Sequence, residues 1–366
     1  MNPARLLPLL FAGGFVGVLG VYYEPCVLLV LACTFKDNNH MSISVVAEKL
    51  ENLTRYYGVE QSALCCPSVF VLPDWLLSWW QSFGAGFTAY PLLVRRGDKV
   101  IGIAPLKLKA GVASFIGDND VCDYLDFITA PGAEDAFASA LLDYLKAQGI
   151  QRLQLETLRP DSTAAVNVAR EAQQRGWQVD FSDLETSSEM QLPPDWDMYL
   201  SALDARYRRD AERKMRQLEN VAPLRFEVLK GFDVGEAEVN LFLDMMAGSR
   251  RDKAHFLTGD MRLYFHRLSK AMAGCGLLRM AFLYVGVARV AGVLYFDYND
   301  RLYLYNSGYT AQYAAMNVGL VSKLLAIRQA IADGKKVFDF LKGSEVYKSH
   351  LGGCEVGLSR CDIVVG

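Results

Sequence analysis

Residues 337–352 read Val-Phe-Asp-Phe-Leu-Lys-Gly-Ser-Glu-Val-Tyr-Lys-Ser-His-Leu-Gly. The apolar run of Val337, Phe338, Phe340 and Leu341 predicts a buried strand. Asp339 interrupts it, and a carboxylate in a buried strand is costly unless paired or used. Gly343 breaks the strand. Ser344, Glu345, Tyr347, Lys348 and His350 follow within seven residues, all able to donate, accept or carry protons. A buried strand opening into such a loop is a common seat of chemistry in α/β proteins. The plain alternative is a strand exit with solvated charges.

Working back from this stretch, residues 318–333 form an apolar helical run and residues 301–307 a strand carrying Tyr303 and Tyr305 on one face. Residues 278–285 and 287–297 predict a hairpin turning at Gly286. Residues 224–230 predict a further strand. Helices are expected over 236–249 and 260–273, separated by the charged cluster Arg250-Arg-Asp-Lys253. Residues 197–220 form a basic helix with six cations in the eleven residues 206–216, interspersed with Asp210 and Glu212. It reads either as a salt-bridged solvated face or as an anion site, since arginine suits planar phosphate contacts.

The first half alternates strands and helices. A helix is expected over 44–57 and a tryptophan-rich one from Pro73 to Phe83, whose rings belong to the core more readily than to a ligand platform. A hairpin is expected over 89–107, with Pro105 marking an edge or a bulge. Strands at 113–117 and 124–128, a helix at 136–148, a strand at 152–157, a helix at 166–175 and a strand from Trp177 follow. Asp118, Asp120, Asp123 and Asp126 form an acidic patch that would hold a metal only if the carboxylates converge.

The 366 residues, 52% hydrophobic and 22% charged, suffice for two globular domains. A net charge of −3 gives no reason to expect DNA as a partner. Eight scattered cysteines and four dispersed histidines, without a Cys-x-x-Cys pair, argue against a zinc site and for a reducing compartment. The apolar residues 6–34 are split by Glu24-Pro25, and residues 6–23 are long enough for a membrane span. Two expectations stand side by side: an N-terminal anchor through residues 6–23, or a start at Met41. Cytoplasmic placement, tethered to the inner membrane in the first case, is the default, with export less favoured.

Residues 337–352 resemble the ending of the CelD-like acetyltransferases of the GNAT superfamily, related to the FemAB peptidyltransferases. Asp339, Gly343, Glu345, Tyr347 and Lys348 match the pattern, with Ser344 and Val346 departing from it. Residues 301–309, the basic helix 206–216 and residues 70–75 with Trp79-Trp80 add weaker matches. The resemblance implies an α/β (α+β) fold of two tandem GNAT-like domains, over residues 41–190 and 191–366, each a mixed twisted sheet flanked by helices. It also implies acetyl-CoA, or another acyl-CoA, as co-substrate without a metal. In such folds the donor lies between two splayed strands with its pyrophosphate at a helix N-terminus. Tyr305, Asn306, Ser307, Gln312, Asn317, Val318 and Gly319 would then bind the donor. The superfamily's glycine-rich signature is absent, Gly319 being the nearest glycine.

No Gly-x-Ser-x-Gly, P-loop or Cys/His nucleophile pair is present, so direct transfer assisted by a base is expected. Asp339 or Glu345 is the candidate base, Tyr347 the proton donor to the thiolate, and Lys348 a stabiliser of charge. Arg209, Arg213 and Tyr303 are the candidate substrate contacts, and His350 reads as a surface residue. The acceptor implied is an amine or hydroxyl of a saccharide, in the setting of exopolysaccharide synthesis. Two alternatives remain: a FemAB-like transferase that takes aminoacyl-tRNA, and a non-catalytic component of a polysaccharide assembly.

Overall fold

The computed structural model describes residues 33–36, 42–57 and 64–366; residues 6–23 and Met41 lie outside the described residues. The strands are β1 (Cys33–Lys36), β2 (Ser42–Ala47), β3 (Thr88–Arg96), β4 (Lys99–Lys109), β5 (Val112–Phe115), β6 (Ile128–Thr129), β7 (Arg152–Leu158) and β8 (Val179–Gln191) in the first half. The second half adds β9 (Leu224–Lys230), β10 (Leu278–Val285), β11 (Ala288–Tyr298), β12 (Arg301–Tyr309), β13 (Val337–Lys342) and β14 (Cys354–Val364). The helices are α1 (Pro73–Phe83), α2 (Glu134–Ala147), α3 (Ala169–Gln174), α4 (Trp196–Ala202), α5 (Ala205–Glu219), α6 (Glu236–Ser249), α7 (Arg251–Phe256), α8 (Gly259–Gly274), α9 (Val318–Ala332) and α10 (Tyr347–His350).

All fourteen strands join one mixed sheet, in the order β1-β2-β3-β4-β5-β7-β14-β8-β13-β12-β11-β10-β9, with β6 on β4. This is a mixed α/β protein, its large sheet flanked by helices. The β5/β7 and β12/β13 pairs are parallel; the others are antiparallel. The chain's two halves share this sheet. β14 returns from the C-terminus to lie between β7 and β8, and β8 in turn pairs with β13.

Several sequence expectations are corrected. Residues 42–47 form β2, because the alternation of Ile43 and Val45 into the core has the period of a strand; a 3₁₀ helix over Leu50–Tyr56 follows. Pro105 sits in an interior strand, opposite Pro91. It falls between residues 102–103, which pair with β6, and residues 106–109, which pair with β5, so its missing N–H breaks no ladder bond. The basic helix is two helices, broken where the Asp204 carboxylate caps the Arg206 N–H at 2.8 Å. Strand β14 had no expectation at all. As expected, Trp75 and Trp79 are core residues.

Helix α6 presses on β12 at Gly308. A Cβ there would lie 2.3 Å from the Met246 nitrogen and 2.5 Å from the Met245 carbonyl carbon. These are backbone atoms that a side-chain rotation does not relieve. Gly308→Ala is expected to cost about 3 kcal/mol in urea unfolding. Gly357→Ala, which meets nothing within 4 Å, should cost less than 1 kcal/mol.

Candidate functional site

Strands β12 and β13 run side by side for only three residue pairs, from Arg301/Val337 to Tyr303/Asp339. β13 then turns away: Leu341 takes a left-handed φ of 61°, and a bulge against β8 falls between Asp339 and Leu341. β12 runs on to Tyr309 along β11. The two strands therefore splay. At the gap, the Ser307 N–H donates to Asn306 Oδ1 at 2.9 Å, while the Ser307 carbonyl accepts from Lys253 Nζ at 2.6 Å.

Asp339 holds the splay open from behind. It is fully buried, accepting from Leu341 N at 2.9 Å, Tyr124 Oη at 2.8 Å and Arg301 at 2.8 Å. Arg301 also pairs with Glu189, which Arg159 holds from the other side at 2.9 Å. Burial pushes the Asp339 carboxyl up to about 6, against the opposing pull of the Arg301 guanidinium. A carboxylate sealed by three donors has no access to an acceptor. Asp339 is thus corrected from candidate base to the residue that shapes the strand.

The mouth of the splay is a cavity of about 280 Å³. Ser307, Tyr309, Asn317 and Gly319 line one side, and Glu345 and Tyr347 another. Arg250, Lys253 and Lys323 bring three basic side chains to it. The Glu345 carboxyl is pushed up by burial, but Lys348 beside it more than offsets this, and it lies below the usual range. Burial raises the Tyr347 hydroxyl, as does Glu345. Burial pushes Lys253 down to about 8, reinforced by Arg250. Burial likewise takes Lys323 down to about 7, reinforced by Lys253.

Other candidate residues lie elsewhere. Lys348 is buried and spends its ammonium on the carbonyls of Leu341 (2.9 Å), Lys342 (2.5 Å) and Gly343 (3.1 Å) and on Glu345 (3.1 Å). It clamps the loop and does not face the cavity. Tyr305 packs edge-on to Trp75 at 5.2 Å and donates to the Val121 carbonyl, so it is a core residue. Val318 is buried in the core and Gln312 is exposed, away from the cavity lining. Asn306 acts through its contacts with Ser307 and Lys253. Tyr303 lines a smaller cavity of about 140 Å³ with Tyr124, Arg159 and Arg301. Arg209 and Arg213 line a third, of about 370 Å³, with Arg206 and with Tyr207 stacked on His350 at 3.9 Å. The Asp210 carboxylate is bonded to Arg213 at 2.6 Å.

The aspartates of the acidic patch diverge. Asp118 accepts from Trp79, Asp123 from the Lys342 N–H, and Asp126 from the N–H groups of Thr163 and Ala164. Among the described residues, no three His, Cys, Asp or Glu side chains are placed to share a metal ion. Among the same residues, no helix is long and apolar enough to cross a membrane.

Three cleft cations escaped the sequence reading as site residues. Lys253 and Arg250 were visible only as part of a charged cluster between helices. Lys323 carried a usable signal: it is a single cation in the apolar run from Val318 to Ile327.

Residues 205–349 match the family model described as an acetyltransferase (GNAT) domain. This part of the chain runs from the start of α5 into α10 and contains the splay and its cavity. Among solved structures, FemX superposes with a TM-score of 0.57 at 11% identity, covering 80% of this chain and 92% of FemX. A conserved protein of unknown function from Bacteroides thetaiotaomicron VPI-5482 gives a TM-score of 0.52 at 10% identity, covering 87% and 98%. At these identities the likeness is one of fold. A search among curated proteins finds no match.

Replacing Arg301 tests the buried network. In Arg301→Met, Asp339 and Glu189 lose a shared cation, and breaking such a pair costs about 3 kcal/mol or more. The Asp339 carboxyl titrates higher in the fold than in the unfolded chain, so its burial favours folding below about pH 4 and costs stability as pH rises through about 6. Without Arg301 that cost grows. Denaturant unfolding should therefore show a larger loss at pH 8 than at pH 5.

Proposed function

We propose that this protein is an acyltransferase that moves an acetyl or other acyl group from acyl-CoA directly to an amine or hydroxyl of a saccharide. The observation that carries the reading is the cationic cavity at the splay of β12 and β13, set against the first turn of α9. The N–H groups of a helix's first turn lack intrahelical partners and favour an anion. Arg250 and Lys253 add positive charge, which suits a pyrophosphate. Ser307 offers its N–H and carbonyl to a strand-like amide arm, once Asn306 and Lys253 release them. Bound there, the thioester supplies an activated acyl carbon. Tyr347, on the cavity wall, is placed to donate a proton to the departing thiolate. Glu345 would orient Arg250, 3.8 Å away.

The saccharide acceptor follows from the CelD-like pattern of residues 337–352, which also suggests exopolysaccharide synthesis. Acyl-CoA as donor places the protein in the cytoplasm, with membrane attachment through residues 6–23 as a further proposal. A second reading, an aminoacyl-tRNA donor, is favoured by the cavity on α5, whose Arg206, Arg209 and Arg213 suit the phosphates of a polyanion. Arg209 and Arg213 are the substrate contacts in that case.

Thermal unfolding of the full chain with acetyl-CoA, free CoA and dephospho-CoA tests the donor. Acetyl-CoA at a hundred times its Kd should add about 2.7 kcal/mol, visible as a rise in Tm. Arg250→Ala should weaken binding about tenfold, as expected for one charge-assisted contact. No shift with any CoA, together with a shift by charged tRNA, would favour the second reading.

A further inference from the structure

The transfer proposed above needs a base, and neither carboxylate is suited to the task. Asp339 is sealed behind the strands, and Glu345 is paired with Lys348 at 3.1 Å and Arg250 at 3.8 Å, which makes it a weaker base than a free carboxylate. We propose that the Lys323 amine, anchored on the cavity wall by its hydrogen bond to the Gly319 carbonyl, is the base that takes the acceptor's proton. This rests on the acyltransferase reading of the same cavity.

The geometry supports it in three ways. Lys323 stands in the second turn of α9, donates to the Gly319 carbonyl at 2.9 Å, and holds its nitrogen 4.8 Å from the centre of the Tyr347 ring. The candidate base and the candidate thiolate-protonating group are therefore neighbours. Lys323 is only 8% exposed and is one of the residues lining the cavity, so it is shielded from bulk water. The charged groups around it are Lys253, Arg250 and Lys348 against the single carboxylate of Glu345. Burial and this cationic excess push the amine down to about 7, so near pH 8 most of it is neutral with a free lone pair. A base titrating near the working pH is the effective kind.

In the step, the acceptor's nitrogen or oxygen bonds to the thioester carbonyl carbon and the carbon–sulfur bond breaks. The acceptor's proton goes to Lys323 Nζ. The leaving thiolate takes a proton from the Tyr347 hydroxyl, and the Lys323 ammonium and the Tyr347 phenolate then return to their starting forms by proton exchange with water. No electrons are exchanged with an outside reagent, and both groups end as they began.

The first test needs no acceptor. The wild-type chain is labelled with acetic anhydride across pH 5–10 and acetylation is read residue by residue by mass spectrometry, with and without CoA. The expected result is a Lys323 midpoint near pH 7 and at least tenfold protection by CoA. A Lys323 that stays unreactive below pH 9, or is unprotected in a sample that binds CoA, overturns the proposal. The second test measures CoA release from acetyl-CoA with glucosamine or water as acceptor. Lys323→Met should bind CoA within about threefold of wild type, release it at least a hundredfold more slowly, and lose the rise of rate with pH through about 7. Lys323→Arg, a permanent cation with no free lone pair, should fail in the same way. Retained rate or a retained pH limb in either variant overturns the base assignment alone. A wild type that binds no CoA overturns the donor reading as well, and the binding arm distinguishes the two.

Discussion

The structure depends on which donors one buried carboxylate accepts from. Asp339 accepts from the backbone of Leu341, two residues on, and so fixes the left-handed turn that bends β13 away from β12. A branched residue at φ 61° is strained by about 1–2 kcal/mol, and the strain persists because the surroundings determine it. Here the surroundings are Tyr124 and Arg301, which hold the other valences of the carboxylate. Without that bend, β13 would continue the ladder along β12, and no gap would form.

The same network ties the halves of the chain together. Tyr124 and Arg159 come from the first half, and Arg301 and Asp339 from the second. Glu189, on the strand β8 that links them in the sheet, joins Arg159 to Arg301. The passage of β14 between β7 and β8 adds a second link, because the last strand completes the sheet of the first half. On the cavity side, Lys348 ties the chain after β13 to the carbonyls of Leu341, Lys342 and Gly343.

Much of this is legible in the sequence where a local pattern decides the outcome. The alternation of residues 337–341, the hairpin around Gly286 and the apolar helix beginning at Val318 each declare themselves, while the splay was expected only through the GNAT resemblance. The chemistry is less legible, because burial is a property of the whole fold. Asp339 and Lys348 matched a pattern of reactive types, yet one is sealed by three donors and the other by backbone carbonyls. Tyr305 stood among the candidate donor contacts, but its ring belongs to the aromatic core around Trp75. Lys253 reaches Ser307 from more than fifty positions away, a distance over which no spacing rule speaks. Strand β14 was missed because its alternation is weak, and its place between β7 and β8 is a matter of topology.

The central claim is that the gap between β12 and β13, with the first turn of α9, receives an acyl donor. Amide hydrogen exchange of the full chain, with and without a saturating amount of acetyl-CoA, addresses it at the level of single segments. The account predicts slowed exchange at residues 306–309 and 318–320, with α8 unchanged. Protection confined to α5, or unchanged exchange at the gap in a sample with acetyl-CoA bound, would contradict it.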